Sequence, residues 1–213
     1  MLLYSIIIAV GVVLTATLNI LFNPLYHDKF WLYIIFTVAL TVIVILLDGL
    51  VAFLIRKMPE KWFQKDKWPY RTSEGEMKFF NFLRVQKWKD HVPELGSFTG
   101  FHKNKVTNPF NNEYIERFIL EARYGIAIHY ASVPASFLII FLDWKMYIGQ
   151  SNIWLTIALP IAVVNAILIV LPAFILKYNL PRLLRIHENN IALKKMKEKR
   201  EQAQKEENTS GGF

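Results

Sequence analysis

The chain has 213 residues, of which 54% are hydrophobic and 15% aromatic, and its mean hydropathy is positive. The apolar residues are concentrated in long runs, which excludes an ordinary water-soluble core and predicts a membrane protein that crosses the bilayer several times. The absence of cysteine excludes disulfides, thiolate metal sites and a cysteine nucleophile. The formal net charge of +8 suits contact with anionic lipid headgroups.

Four apolar runs are long enough to cross a membrane as helices. The first covers residues 1–22 and predicts a retained span rather than a removed signal peptide, because a charged leader and a small-residue cleavage signal are both missing. Asn23-Pro24 separates it from the second run, which extends from about Trp31 to Ile55. The third run covers residues 125–142 and the fourth residues 153–176.

These runs predict an all-α integral membrane protein with four transmembrane helices. Its predicted parts are a helical hairpin at 1–55, a cytoplasmic interfacial domain at 56–123, a second hairpin at 124–176 and a basic tail at 177–213 that is disordered near its end. The interfacial segment carries 14 Lys and Arg against 9 Asp and Glu, and the tail carries 9 basic residues. The positive-inside rule therefore places both segments, and both termini, on the cytoplasmic side of a cell-membrane protein.

The polar interfacial domain meets the third span in the stretch 121–130. Asn111 and Asn112 are expected to supply the N-cap of a helix that runs into this span, and on that helix Glu121, Gly125 and His129 fall within an arc of about 80°. Ionisable groups are costly inside a membrane, so His129 is a candidate base and Glu121 a candidate catalytic acid or base at the surface. Gly125 leaves a gap where a backbone or a substrate can approach.

Structural alternatives exist for each of these ionisable residues. Glu121 and His129 are separated by roughly 12 Å along the helix axis, so they do not form a hydrogen-bonded pair. Glu121 is instead able to pair with Arg117 one turn earlier, and His129 to bond a neighbouring helix. Asp48 interrupts the second span at a depth similar to that of His129, which raises the hypothesis that Asp48 supports His129 from another helix.

A densely charged stretch within the interfacial domain contains Lys87, Trp88 and Lys89. Lysines flanking an aromatic residue suit the binding of a phosphate-bearing donor. The same composition is also typical of a solvated loop whose surface charges contribute little. The residues alone leave both interpretations open.

A second basic motif follows the fourth span. Pro181 is expected to begin a new helix there, with Arg182 and Arg185 projecting from one face of it toward headgroups or a phosphate. Arginines at this position ordinarily anchor the membrane topology. The preceding Tyr178 and Asn179 add neutral hydrogen-bonding groups, which favours a binding role for the motif.

Three motifs in this order resemble the small membrane acyltransferases typified by glycosyl-4,4'-diaponeurosporenoate acyltransferase of staphyloxanthin synthesis. They are Phe-Leu-Arg-Val-Gln-Lys-Trp-Lys at 82–89, Tyr-Ile-Glu-Arg-Phe-Ile-Leu-Glu-Ala-Arg at 114–123, and Tyr-Asn-Leu-Pro-Arg-Leu at 178–183, with His129 between the last two. The resemblance covers roughly residues 77–187, and the first hairpin and the tail extend beyond it. The matched residues are Lys87, Trp88, Lys89, Glu121, His129, Tyr178, Asn179, Pro181 and Arg182.

The resemblance implies transfer of a fatty acyl group to a sugar hydroxyl of a glycolipid or of a glycosylated terpenoid such as a carotenoid. The donor is expected to be acyl-CoA or acyl carrier protein, and the partners are membrane lipids and the glycolipid acceptor. No bound cofactor, metal or nucleic acid is expected. Two alternatives remain, a membrane transferase of another class such as a methyltransferase and a non-catalytic scaffold of a lipid pathway.

Overall fold

The fold is described by a computed structural model that covers residues 2–22, 30–64, 68–92, 106–142 and 153–210. In these ranges all regular structure is helical, which confirms the all-α prediction for this part of the chain. The α-helices, in chain order, are α1 (Leu2–Phe22), α2 (Phe30–Lys57), α3 (Glu74–Phe82), α4 (Val85–Trp88), α5 (Asn112–Ser136) and α6 (Leu159–Ser210). Shorter helical turns occupy Glu60–Trp62, Phe137–Phe141 and Trp154–Ala158. The predicted links at 23–29 and 143–152 lie outside the described residues.

Three of the helices are long and apolar enough to cross a membrane. They are α2, the stretch Asn112–Phe141 that contains α5, and the stretch Trp154–Lys205 that contains most of α6. The first helix is apolar over Ser5–Leu21 and is shorter. Large apolar side chains such as Leu46, Phe53 and Ile167 are more than half exposed, as expected for side chains that face lipid. The prediction of helices long and apolar enough to cross a membrane is confirmed for three of the described helices, and the four-span arrangement stays a prediction.

The helices α5 and α6 form the central antiparallel pair of the bundle. Gly125 of α5 lies against Leu176 of α6, and the amide of Asn165 donates to the hydroxyl of Ser136 at 2.8 Å. As expected, α5 begins at a cap in which the Asn111 side chain accepts a hydrogen bond from the Tyr114 amide at 3.0 Å. The helix then runs without a break from the polar segment into the apolar one.

The first helix is joined to the bundle by a polar contact with the turn Trp154–Ala158, which directly precedes α6. Pro160 has no backbone N–H and cannot donate to the carbonyl of Thr156, and the turn Trp154–Ala158 that contains this carbonyl is π-helical. The buried amide of Asn19 donates to this carbonyl at 2.8 Å and to the carbonyl of Thr15 in its own helix at 2.8 Å. An asparagine inside an apolar helix is thereby satisfied, and α1 is attached to the turn before α6.

The prediction that Pro181 begins a new helix is wrong, because α6 continues through Pro181 to Ser210. A proline inside a helix leaves the carbonyl four residues earlier without its intrahelical donor, here the carbonyl of Lys177. The hydroxyl of Thr72, which comes from the interfacial segment 105 positions away, donates to this carbonyl at 2.8 Å. Thr72 therefore replaces the bond that Pro181 removes, and the helix is not interrupted.

Because Thr72 compensates for Pro181, the effect of Thr72→Val on stability should depend on which residue stands at position 181. The substitution leaves the Lys177 carbonyl unsatisfied and is expected to lower the free energy of unfolding by about 1–3 kcal/mol. In a Pro181→Ala background the new amide of residue 181 is able to donate to the same carbonyl, so Thr72→Val should then cost less. Thermal unfolding in detergent measures all four combinations. Equal costs of Thr72→Val in both backgrounds would show that the hydrogen bond does not compensate for Pro181.

The end of α6 extends past the rest of the bundle. The Asn190 amide donates to the carbonyl of Pro109 at 2.7 Å, and beyond it the side chains of residues 191–205 are all exposed. The tail is thus a solvated helix, as expected from its composition, and the disorder predicted near its end stays a prediction.

Candidate functional site

One turn of α6, Leu176–Asn179, is contacted from three directions. On the side of α5, Gly125 allows the closest approach, since a Cβ atom added there would lie 2.6 Å from Cδ1 of Leu176. The gap expected at Gly125 is therefore occupied by a side chain of the neighbouring helix. The following three residues of the turn contact the interfacial helices α3 and α4.

The interfacial helix α4 is joined to this turn by Lys89. Its ammonium group donates to Oδ1 of Asn179 at 3.2 Å and lies 5.6 Å from the ring centroid of Tyr178. The preceding Trp88 donates its indole N–H to the carbonyl of Leu83 at 2.9 Å and packs into the apolar cluster beneath α4. Two sequence motifs about 90 positions apart, those of Trp88-Lys89 and Tyr178-Asn179, are thus brought together.

The remaining basic residues predicted for the site are exposed to solvent around the turn Leu176–Asn179. Lys87 on α4 and both Arg182 and Arg185 on α6 are exposed. Arg182 follows Tyr178 by four residues and Arg185 by seven, so the three lie on one face of α6. Their predicted role in substrate binding stays a prediction.

Lys177 lies at the centre of the turn and is fully buried, with 0% exposure of its side chain. It forms an ion pair with Glu76 of α3 and lies 5.8 Å from the ring centroid of Tyr130 on α5. Glu76 also closes a capping box with Ser73 at the start of α3. Burial alone would raise the pKa of Glu76, but hydrogen bonds from Lys177 and Ser73 and the charge of Lys177 bring this pKa below its usual value.

A second buried cation lies on α5, beside the segment that precedes α3. Arg123 of α5 is 8% exposed, and its positive charge acts on Tyr70 of the interfacial segment. Burial raises the pKa of Tyr70, and the charge of Arg123 partly opposes this rise. Trp68 of the same segment places its ring 6.1 Å from that of Tyr130. The segment that precedes α3 therefore covers the junction between α5 and α6 with aromatic and polar side chains.

Glu121 is held in a network of ion pairs on the side of α2. Its carboxylate contacts Arg56 at 2.9 Å and Arg117 at 2.9 Å, and Arg117 also lies 3.6 Å from Glu60. The side chain of Glu121 is only 7% exposed. Both oxygens of the carboxylate are thus engaged by guanidinium groups, Oε2 by Arg56 and Oε1 by Arg117. This geometry favours the structural interpretation of Glu121, and a catalytic role stays a prediction.

His129 lies half-buried on α5, one turn past Gly125. Contacts of Arg56 with Glu121, and of Asn165 with both Asp48 and Ser136, show that α2 runs antiparallel to α5 and that Asp48 lies beside the part of α5 near Ser136, past His129. The hydrogen bond described for the Asp48 carboxylate comes from Asn165 of α6, at 3.0 Å. Support of His129 by Asp48 stays a prediction.

The sequence interpretation assigned no site role to Lys177, Glu76, Arg123, Tyr130 or Asn165. Ser73 and Glu76 at a spacing of three form the signature of a capping box, which would have located the start of α3. Lys177 ends an apolar run, where lysines usually extend to the surface. Only contacts across the fold identify it as buried. Among the described residues, no three His, Asp or Glu side chains come together in a way that could hold a metal ion.

A comparison with models of known protein families matches the part of the chain that contains the turn Leu176–Asn179. A family model described as glycosyl-4,4'-diaponeurosporenoate acyltransferase matches residues 59–189, which is more than half of the chain. The match includes α3, α4, α5 and the first 31 residues of α6, and leaves out α1 and α2. Searches of curated proteins and of solved structures gave no match. The chain therefore belongs to the glycosyl-4,4'-diaponeurosporenoate acyltransferase family.

Proposed function

We propose that this protein transfers a fatty acyl group from a soluble thioester, acyl-CoA or acyl carrier protein, to a sugar hydroxyl of a glycolipid or glycosylated terpenoid in the membrane. The observation that carries the proposal is the family match over residues 59–189. The matched range contains the turn Leu176–Asn179 and the described side chains that contact it.

The distribution of apolar and basic side chains supports this pairing of substrates. The exposed apolar surface of α2 and α6 suits an acceptor whose tail lies in the bilayer. The basic residues of α4 and of α6 after Asn179 suit an anionic donor that arrives from water. The positive-inside rule makes this the cytoplasmic side, where such thioesters occur.

The proposed reaction is direct transfer. The imidazole of His129 takes the proton of the sugar hydroxyl, and the hydroxyl oxygen attacks the carbonyl carbon of the thioester. The carbonyl oxygen becomes an oxyanion, for which the side-chain amide of Asn179 is the proposed donor. Collapse breaks the carbon–sulfur bond, the thiolate leaves, and the proton held by His129 is transferred to it. The products are a sugar ester and a free thiol.

The proposal is tested on membranes that contain or lack the protein. With a labelled acyl thioester, we expect one glycolipid to gain the label and the mass of one acyl group only when the protein is present. A parallel incubation with a labelled methyl donor tests the alternative transferase class. Incorporation of methyl label alone would contradict the proposed reaction, and so would identical lipid profiles and labelling in both membranes.

A further inference from the structure

Five basic residues lie on α4, directly before and after it, and on the adjoining part of α6. They are Arg84, Lys87, Lys89, Arg182 and Arg185. In the described ranges none of them has a carboxylate within 4.0 Å, whereas Arg56, Arg117 and Lys177 all do. Asp90 and Glu188 are the carboxylates of the same two stretches, 84–90 and 182–188, so the surface keeps a net positive charge. We call these five residues the basic face.

The two halves of the basic face are held next to each other. The bond from Lys89 to Asn179 joins α4 to α6, and Lys89 also lies over the ring of Tyr178. Arg182 follows on the same face of α6 one turn later, and Arg185 a turn after that. Four of the five side chains are exposed, and Lys89 is half-buried.

Arg84 gives an independent indication that this charge has a function. Its backbone adopts the left-handed conformation, with φ at 52°, and it is the one described residue other than glycine with positive φ. Glycine or asparagine takes this conformation at lower cost in free energy. The Arg84 side chain is exposed, so packing does not explain why an arginine stands there. A strained arginine on a positive surface is typical of a binding site.

We propose that the basic face binds the phosphate groups of a coenzyme A thioester, with Arg84 as a further substrate-binding residue. Guanidinium and ammonium groups form short charge-assisted hydrogen bonds with phosphate oxygens. Several cations spread over two helices match a ligand that carries several phosphates, whereas an isolated lysine would not. This inference rests on the proposed function, since it identifies the donor of the acyl group.

The test measures binding of coenzyme A to the purified full-length protein in detergent, without acceptor and without turnover. Arg84→Asn relieves the backbone strain, so thermal stability without ligand is expected to be unchanged or higher. We expect coenzyme A binding to weaken by about tenfold in Arg84→Asn and further in Arg182→Gln/Arg185→Gln, in line with the loss of charge-assisted hydrogen bonds. Lys61→Gln removes an exposed charge outside the basic face and should leave binding unchanged.

Binding of vesicles that contain phosphatidylglycerol is measured in parallel, because lipid headgroups present the same phosphate chemistry. Loss of vesicle binding with unchanged coenzyme A affinity would overturn the proposal, and so would an equal loss in Lys61→Gln. The binding result is independent of the proposed reaction. If coenzyme A binding depends on the basic face but no acyl transfer occurs, the donor site stands and the proposed function fails.

Discussion

Glu76→Gln is expected to destabilise the protein much more than Lys177→Met, although the two residues form one ion pair. Lys177 is fully buried, so loss of Glu76 leaves an ammonium group without compensation. Breaking a buried pair in this way costs about 3–5 kcal/mol, and we expect the lower end because 28% of the Glu76 side chain is exposed. Methionine at position 177 removes the buried charge and keeps most of the volume, and Glu76 retains some access to water.

Thermal unfolding of the purified protein in detergent measures this asymmetry. The double variant Glu76→Gln/Lys177→Met should recover most of the stability lost in Glu76→Gln, because the buried charge is then absent. Glu74→Gln is the matched control, since Glu74 is an exposed carboxylate in the first turn of the same helix. A Lys177→Met variant as unstable as Glu76→Gln would contradict the explanation.

The same pair predicts a dependence of stability on pH. The folded-state pKa of Glu76 is lower than its usual value, so the pair contributes its full stability above the ordinary glutamate pKa of about 4.3. This contribution is lost as the pH falls through the folded-state pKa. Lys177→Met lacks the pair and should therefore lose less stability than the natural protein as the pH falls from about 4.3 through the folded-state pKa of Glu76. Parallel unfolding curves for the two proteins would contradict the prediction.

The sequence pattern predicted the helices, the helix cap and the ion pair that depend on residues close together in the chain. The apolar runs located the long helices, Asn111 marked the start of α5, and the spacing of Arg117 and Glu121 allowed their ion pair. The second partner of Glu121, Arg56, is 65 positions away and depends on how α2 packs against α5. The packing of these two helices could not be predicted from the sequence pattern.

The interpretation of Pro181 shows why local rules have limits. Proline removes a hydrogen bond within the helix, and the local expectation is a helix boundary. A threonine 109 positions earlier supplies the missing donor and keeps α6 continuous. The burial of Lys177 has the same origin, because the segment containing Thr72 and Glu76 folds back over this turn of α6. The candidate site was therefore predictable in its motifs, but not in the pair at its centre.

His129→Gln is expected to reduce acyl transfer by about 10²–10⁴-fold, the usual contribution of a general base. Glutamine approximates the size of histidine and keeps hydrogen-bonding capacity, but it does not accept a proton at neutral pH. The initial rate is measured with labelled acyl thioester in membranes, at saturating donor and acceptor. His187→Gln is the control and should leave the rate unchanged. His187 lies on a later turn of α6, and its Nε2 atom is 3.8 Å from the carboxylate of Glu116 on α5.

A structural role of His129 predicts a different combination of results. If its imidazole only joins neighbouring helices, His129→Gln should lower the unfolding temperature and leave the rate per folded molecule near normal. If it is the base, the rate per folded molecule falls and the unfolding temperature changes little. Asp48→Asn extends the test, because a carboxylate that orients His129 should lower kcat with little change in KM when it is neutralised. An unchanged kcat in Asp48→Asn, together with a reduced kcat in His129→Gln, would identify His129 as a base that works without Asp48.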